Sequence, residues 1–268
     1  MKRQRKLTTE DLNNHPFAEK VLDEAMTIFR DLKSKPKLGT KTPEFKREFY
    51  KNETYVNNCG SSLVNFLSCC EQLHFAPLYL LSYCPSKKMK DAGVTRYAHL
   101  LFCVENYIVR TRTLYDRMLH LVNYVFFICA PENSVNHSSI INNLHVSAAG
   151  FAPHLKKLKK LTDEHHGDRC RILHQESFQD NDLRFIGIMT HASNNPAFRN
   201  TEDIKEDVKF SSSMYAKEKA EEFIENNYKL FEAVDIVFKH LLKKYKDNRR
   251  IHIKLYGEIE AIEKELNS

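Results

Sequence analysis

The sequence predicts an all-α protein, and three observations support this fold class. Only 7 Gly and 8 Pro occur in 268 residues, too few turn-forming residues to separate the many strands of a β-sandwich. Between Val94 and Cys129, apolar or semi-apolar residues recur at alternating steps of four and three, as in a long helix packed in a bundle. A second wide apolar stripe runs from Ser213 to Tyr245. We therefore expect a helical bundle.

The N-terminal part of the chain predicts one amphipathic helix, an irregular segment and an apolar segment. The helix is expected over Thr8–Lys33, with Thr8 or Thr9 as its cap. The polar stretch Ser34–Asn58 is expected to be irregular, and Phe66–Tyr83 is expected to join the core or a small N-terminal layer.

Between the two long helices the sequence predicts shorter elements. Val135–Leu161 contains the pattern of one helix. A second, short helix is expected to start at Arg169, because Asp168 is a good N-cap and follows a glycine. Gln179–Asp182 has the composition of a loop, and the tail at 251–268 is expected to be helical near its end.

Composition and cysteine usage predict a cytoplasmic protein. Lys and Arg number 41 against 35 Asp and Glu, so the net charge of +6 is compatible with a nucleic-acid partner without requiring one. The basic Met1–Lys6 is not followed by the apolar stretch of a secretory signal, and Leu119–Ala130 is too short to span a membrane. The seven cysteines include no Cys-x-x-Cys pair, which favours reduced thiols.

Several common chemistries lack their motifs in this sequence. There is no phosphate-binding Gly-x-x-x-x-Gly-Lys loop, no Gly-x-Gly-x-x-Gly, no His-Glu-x-x-His and no Gly-x-Ser-x-Gly. Four cysteines and one histidine do lie close in sequence: Cys59, Cys69, Cys70, His74 and Cys84. Because they lack the paired spacing of common zinc modules, we expect buried thiols and no metal or other cofactor, with a zinc-bearing regulator as the weaker alternative.

Arg169 and His174 are the residues that most strongly suggest a chemistry. A neutral imidazole can take the proton of a ribose 2′-hydroxyl, so that the oxygen attacks the neighbouring phosphorus. A guanidinium can stabilise the negative charge that develops on the phosphoryl oxygens. Five positions apart on a helix, the two side chains point about 140° from each other, so they would flank a phosphate and a second protomer could complete the site.

The Arg–His spacing alone is weak evidence for an active site, since chance produces such pairs in a chain of this composition. A second pair, Arg184 and His191, has a similar spacing. The context favours the first pair, because Arg169 is expected to open a capped helix and Arg184 is not.

The long helix with Arg110-Thr111-Arg112-Thr113-Leu114-Tyr115-Asp116-Arg117, followed by a short helix with Arg-x-x-x-x-His, resembles the HEPN superfamily of α-helical ribonucleases and nucleotide-binding proteins. The resemblance covers about 94–246. It implies a bundle of four to five helices that is usually dimeric, with the Arg-x4–6-His motifs of two protomers facing a cleft. It places Arg169 and His174 at the motif positions and implies a metal-independent endoribonuclease of a toxin–antitoxin, phage-defence or RNA-processing system.

These considerations divide the chain into three expected regions and add secondary site residues. We expect an N-terminal accessory region at 1–90, a HEPN-like bundle at 91–250 and a C-terminal tail at 251–268. Asp116 could orient His174 or Arg169, or form a plain helix pair with Arg112. Arg171 could contact RNA phosphate or be an ordinary surface residue. RNA could also be guided by a lysine cluster, whose alternative is a solvated helix face: Lys156, Lys157, Lys159 and Lys160.

The leading functional hypothesis is therefore an RNA-cleaving or RNA-binding HEPN-like homodimer, controlled by an antitoxin or another regulatory protein. The main alternative is a non-catalytic helical module that binds a protein or a nucleotide. The family often has a polar residue directly after the motif arginine, whereas this chain has Cys170, and this departure favours the alternative.

Overall fold

The computed structural model describes residues 6–32, 48–164, 166–174, 176–178, 180–195 and 201–266, with the backbone alone at 166, 201 and 258–266. Within these ranges the chain is all-α, as predicted, and contains no strand. Its helices are α1 Thr9–Asn13, α2 Pro16–Leu32, α3 Lys51–Leu81, α4 Lys87–Asp91, α5 Arg96–Val125, α6 His137–Ile141, α7 Leu144–Ala148, α8 Ala152–Thr162, α9 His166–His174, α10 Asn181–Ser193 and α11 Thr201–Leu266.

The N-terminal segment forms two helices where the sequence predicts one. Thr8 caps α1, as expected, and forms a capping box with Asp11. The break lies at His15, because Pro16 disfavours the helical conformation of the residue before it and is itself well suited to the first position of α2. The Nδ1 atom of His15 accepts a hydrogen bond from the Phe17 amide at 3.0 Å, which supports this new helix start.

Other helix limits also differ from the expectations. The irregular segment expected at 34–58 is wrong from Lys51 onward, where α3 begins; residues 33–47 lie outside the described part of the chain. Val135–Leu161 contains three helices, because Asn136 and Asn143 each cap a new one. The last long helix extends beyond the predicted stripe at Ser213–Tyr245 in both directions, because α11 begins at Thr201 and continues through the C-terminal tail to Leu266.

The described residues form two compact units, and the three long helices contribute to both. The first unit contains the described residues of Met1–Lys6, Cys69–Leu114 and Lys160–Leu230. Its core holds the stacked rings of Tyr107 and Phe223, whose centroids are 3.6 Å apart.

The second unit contains the described residues of Leu7–Ser68, Tyr115–Lys159 and Phe231–Ser268. Phe238 lies at the centre of its core, with ring centroids 5.0 Å from Phe17 and 5.6 Å from Phe66. These three rings are fully buried and come from α2, α3 and α11, so they join the main helices of this unit.

A partly buried ionic group links α2 to α11 within the second unit. The Oε2 atom of Glu24 accepts hydrogen bonds from the Tyr245 hydroxyl and from Nε of Arg249, each at 2.9 Å. Its Oε1 atom lies 2.9 Å from Nζ of Lys20. Burial works against the charged carboxylate, but the hydrogen bonds from Lys20, Tyr245 and Arg249 outweigh it, so the pKa of Glu24 is lowered.

We expect this group to make stability depend on acid. A carboxyl whose pKa is lowered on folding stabilises the fold above its ordinary pKa of 4.5, and the stabilisation is lost as the pH falls through the lower folded value. Glu24→Gln should therefore reduce the free energy of unfolding at neutral pH by about 1–3 kcal/mol and flatten its decline below pH 4.5. Urea unfolding measured at pH values from neutral to below 4.5 tests this prediction. Glu19→Gln, which changes an exposed glutamate on the same helix, serves as the control. An unchanged pH profile in Glu24→Gln would contradict the assignment.

Candidate active site

Helix α9 begins at His166 and ends at His174. The predicted N-cap at Asp168 is therefore wrong, because the helix begins two residues before Asp168. Asp168 lies in the first turn instead, where its carboxylate faces the positive end of the helix dipole. Its Oδ1 atom accepts a hydrogen bond from the Arg171 guanidinium, so Arg171 is engaged within its own helix.

The end of α9 and the residues after it are held in place by two hydrogen bonds that backbone amides donate. The Glu176 amide donates to the Arg171 carbonyl at 3.0 Å, a bond that closes the last turn as in a Schellman motif. The Phe178 amide donates to Oε1 of Glu105 on α5 at 2.8 Å. The segment that follows His174 is therefore fixed to the long helix of the same unit. Sequence reasoning missed Glu105, since a glutamate in a long helix looks like any surface residue.

The two motif residues lie at different depths. Arg169 is half-buried, and its Nε atom is shielded from solvent and has no hydrogen-bond partner among the described residues. His174 is exposed at the last position of the helix. Both residues lie on the same regular helix, so the side chains leave the axis about 140° apart and about 7.5 Å along it. A buried, unpartnered donor on a cation is suited to a bound anion, because hydrogen bonding to it would offset the desolvation.

Two residues on α5 that the sequence singles out have defined surroundings. The Nη1 atom of Arg112 donates to Oδ1 of Asp163 at 2.7 Å, a contact between α5 and the residue after α8. Asp116 is half-buried in the second unit, whereas Arg169 and His174 belong to the first. An orienting role for Asp116 stays a prediction.

The lysine cluster lies on α8, an amphipathic helix. Lys156, Lys157 and Lys160 are exposed and Lys159 is half-buried. The same helix buries Leu155 and Leu158 completely. The lysines therefore cover the solvent side of a helix that is anchored by its leucines.

The second Arg–His pair has a better helical context than the sequence suggests. α10 begins at Asn181, and Oδ1 of its N-cap Asp180 accepts a hydrogen bond from the Leu183 amide at 2.7 Å. The prediction of a loop through 182 is therefore wrong, and so is the argument that Arg184 lacks a capped helix. Arg184 and His191 are both exposed. The pair on α9 is distinguished from them by the buried Nε of Arg169, not by capping.

The cysteines occupy several kinds of environment. Cys59, Cys69 and Cys70 are buried, and burial raises the pKa of the Cys59 thiol. Cys170, beside the motif arginine, is exposed. In the part of the chain that the structure describes, no group of three His, Cys, Asp or Glu side chains is arranged to hold a metal ion.

None of the described helices combines the length and the apolar character that a membrane-spanning segment needs. This holds for α11 too, the longest of them, whose sequence carries charged residues along its whole length.

Comparison with known proteins adds one positive finding. A model of the Cthe2314-like HEPN family matches residues 63–242, more than half of the chain. No curated protein and no solved structure matches significantly.

The region that the family model matches starts within α3 and contains both Arg–His pairs. It includes residues 63–90, which were expected to belong to an accessory region. HEPN domains often form dimers and bind RNA, and are associated with nucleotide- or RNA-related functions. With its all-α architecture and a match of this extent, the chain belongs to the HEPN superfamily, within the Cthe2314-like family.

Proposed function

We propose that the protein is a metal-independent endoribonuclease and that Arg169 and His174 form its active site. The observation that carries the proposal is the state of Arg169: its Nε atom is buried and unpartnered, on the same short helix as the exposed imidazole of His174. An arginine with an unused buried donor supplies what a phosphate needs, and the imidazole supplies an acid–base group within one helix length.

The proposed reaction uses the RNA's own 2′-hydroxyl as nucleophile. His174 takes the hydroxyl proton while the 2′-oxygen forms a bond to phosphorus. The bond from phosphorus to the 5′-oxygen breaks, and that oxygen receives a proton from an acid, either His174 of a second copy or water. Arg169 stabilises the extra negative charge on the phosphoryl oxygens. The products are a 2′,3′-cyclic phosphate and a free 5′-hydroxyl.

RNA is held mainly by its backbone in this proposal. The α8 lysines, which are mostly exposed, are suited to neutralise phosphates without reading sequence. Arg171 can contact an RNA phosphate only if its bond to Asp168 opens, so we assign it a secondary contact.

We also propose that two copies associate through the first unit. Between residues 173 and 214, five large apolar side chains on α9, α10 and the first part of α11 are well exposed, and three of them lie along one shallow groove. They are Leu173 (47%), Phe185 (51%), Ile188 (59%), Phe210 (69%) and Met214 (40%). Phe185, Phe210 and Met214 line the groove. Apolar surface of this kind is typical of a protein–protein interface, and it lies in the same unit as the candidate site.

The dimer is tested by the mass of the protein in solution. We expect light scattering after gel filtration to give twice the chain mass of 31.4 kDa, and Phe210→Glu to give the mass of one chain, because a carboxylate cannot be buried in the apolar contact. Leu255→Glu, at another well-exposed apolar position near the other end of α11, should remain dimeric. A monomeric wild-type protein, or a dimeric Phe210→Glu variant, would refute this interface.

In the cell, we propose that the enzyme acts in the cytoplasm as part of a toxin–antitoxin or phage-defence system, held inactive by an antitoxin or another regulatory protein. A second candidate function, a module that binds RNA, a nucleotide or a protein without cutting, is favoured by Cys170 at a position that is often polar in this superfamily.

The deciding experiment is cleavage of a mixed RNA by the purified protein after treatment with a chelator. We expect cutting to persist and the products to carry cyclic phosphate ends, identified by mass spectrometry. Binding of the RNA without cleavage would favour the second candidate.

A further inference from the structure

The second unit contains a cavity that neither the Arg–His pair nor the lysine cluster accounts for. It has a volume of about 370 Å³ and opens between α3, the end of α5 and the C-terminal part of α11. This is within the usual size range of small-molecule sites. Its walls are mainly aromatic and come from Tyr55, Tyr124, Phe127, His252 and Tyr256.

His252 lines the cavity, and one of its ring nitrogens has no hydrogen-bond partner among the described residues. The residue is only 4% exposed, and its Nδ1 atom is shielded and has no hydrogen-bond partner among the described residues. The ring stacks on Tyr55, with centroids 4.4 Å apart and planes at 13°, and meets the edge of Phe127 at 4.5 Å. Its pKa is lowered by burial and by Arg249, so the imidazole is neutral at neutral pH. The ring is held rigidly, and a ligand could supply the hydrogen bond that its Nδ1 atom lacks.

The backbone beside the cavity is strained. Phe127 and Cys129 have φ values of 54° and 57°, in the left-handed region that large side chains rarely adopt. The buried Asn123 holds this segment: its Oδ1 accepts from the Ala130 amide and its Nδ2 donates to the Ala130 carbonyl, each at 3.1 Å. The strain places the Phe127 ring and the Cys129 thiol at the cavity.

One cationic side chain completes the lining. Lys51 begins α3, and its Nζ lies 5.6 Å from the centroid of the Tyr256 ring. The other polar lining side chains are Thr54, Asn58 and Asn123, which are neutral. Aromatic walls are suited to bind a flat ring. A buried imidazole nitrogen can form a hydrogen bond with the polar edge of that ring, and an ammonium group can pair with a negative substituent on it.

We propose that this cavity binds a flat aromatic molecule that carries an anionic group, with its ring between the aromatic walls, its polar edge at Nδ1 of His252 and its charge at Lys51. This site lies within the second unit and is independent of the proposed RNA cleavage.

Three small probes separate the parts of the proposal. Indole-2-carboxylate combines a flat ring, a ring N–H and a carboxylate. Indole-2-carboxamide keeps the shape without the charge, and naphthalene-2-carboxylate keeps the charge without the ring N–H. Because the chain contains no tryptophan, the two indole probes can be followed by their own fluorescence on addition of the full-length protein. Calorimetry follows the third.

We expect saturable binding of one indole-2-carboxylate per chain, about tenfold tighter than the other two probes. Lys51→Gln should remove the preference for carboxylate over carboxamide. His252→Phe, which retains a ring to stack on Tyr55, should remove the preference for indole over naphthalene. Lys254→Gln changes an exposed lysine of α11 that does not line the cavity, and it should bind like the wild type.

A second measurement guards against variants that fold poorly. In the wild-type protein labelled with ¹⁵N-histidine, indole-2-carboxylate should shift the Nδ1 resonance of His252 and leave that of the exposed His191 unchanged. The proposal is overturned if this resonance does not move at saturating probe, if the carboxamide binds as tightly as the carboxylate, or if binding is not saturable up to about 1 mM.

Discussion

His174→Ala is expected to reduce the rate of RNA cleavage by about 100-fold or more, because an acid–base group in such a reaction contributes about 10²–10⁴-fold. The fold should be unaffected, since His174 is exposed at the end of α9 and no hydrogen bond of its side chain is described. The measurement is the initial rate of cleavage of a labelled RNA in the presence of a chelator, with the circular dichroism spectrum and the unfolding midpoint as checks on the structure.

Arg169→Lys belongs to the same experiment. It keeps a positive charge but loses the planar set of donors, including the buried Nε. We expect it to bind RNA almost as tightly as the wild type and to cleave far more slowly, since the guanidinium acts mainly in the transition state.

The pair on α10 provides matched controls for these variants. Arg184 and His191 also lie on one helix at a similar spacing and are both exposed, so Arg184→Lys and His191→Ala change the same residue types outside the proposed site. Both should cleave normally. Full activity of His174→Ala together with loss of activity in His191→Ala would transfer the active site to α10, and full activity of all four variants would rule out both pairs.

Tyr107→Ala is expected to lower the free energy of unfolding by about 3–5 kcal/mol, the range found for large aromatic side chains truncated in a core. The side chain is 1% exposed. Its ring stacks on Phe223, and its hydroxyl donates to Oδ1 of Asn227 at 3.2 Å. Asn227 in turn donates to the carbonyl of Leu73 at 2.8 Å, so the loss of Tyr107 leaves a cavity beside a buried polar group. Equilibrium unfolding in guanidinium measures the loss.

Two variants on the same helix separate the contributions. Tyr107→Phe keeps the ring and should cost about 1 kcal/mol, the usual value of one hydrogen bond. Phe102→Ala removes an aromatic ring that is 68% exposed and should change stability by less than about 0.5 kcal/mol. If Tyr107→Ala were no more destabilising than Phe102→Ala, the stacked pair would not be part of the core of the first unit.

Two of the three long helices, α5 and most of α11, could be predicted because their signal is local and repeated, whereas the start of α3 was expected to be irregular. The alternating apolar steps from Val104 to Val125 place one face of α5 in the core at each turn, and this pattern is visible without knowledge of the neighbours. Cys129, the last member of the predicted pattern, lies beyond the end of the helix and is exposed. Helix limits were harder, since they depend on single residues. Asn136 and Asn143 cap α6 and α7, but an asparagine between apolar residues has no such meaning until its side chain is seen to accept an amide hydrogen bond.

The same distinction applies to the candidate site. Arg169 and His174 could be selected from their types, their spacing and the resemblance, yet the reason based on Asp168 fails, because α9 starts at His166. The buried Nε of Arg169 depends on side chains packed around it, and no local pattern encodes that. No local sequence pattern identifies Glu105 or His252, because each contacts a residue that is distant in sequence.

The amino-acid sequence by itself determined the helical class, two of the three long helices and the residue types available for chemistry, because periodicity and composition act over neighbouring residues. Only the tertiary structure decided which polar atoms are buried without a partner and which side chains enclose a cavity, because desolvation and enclosure arise when segments far apart in the chain pack together.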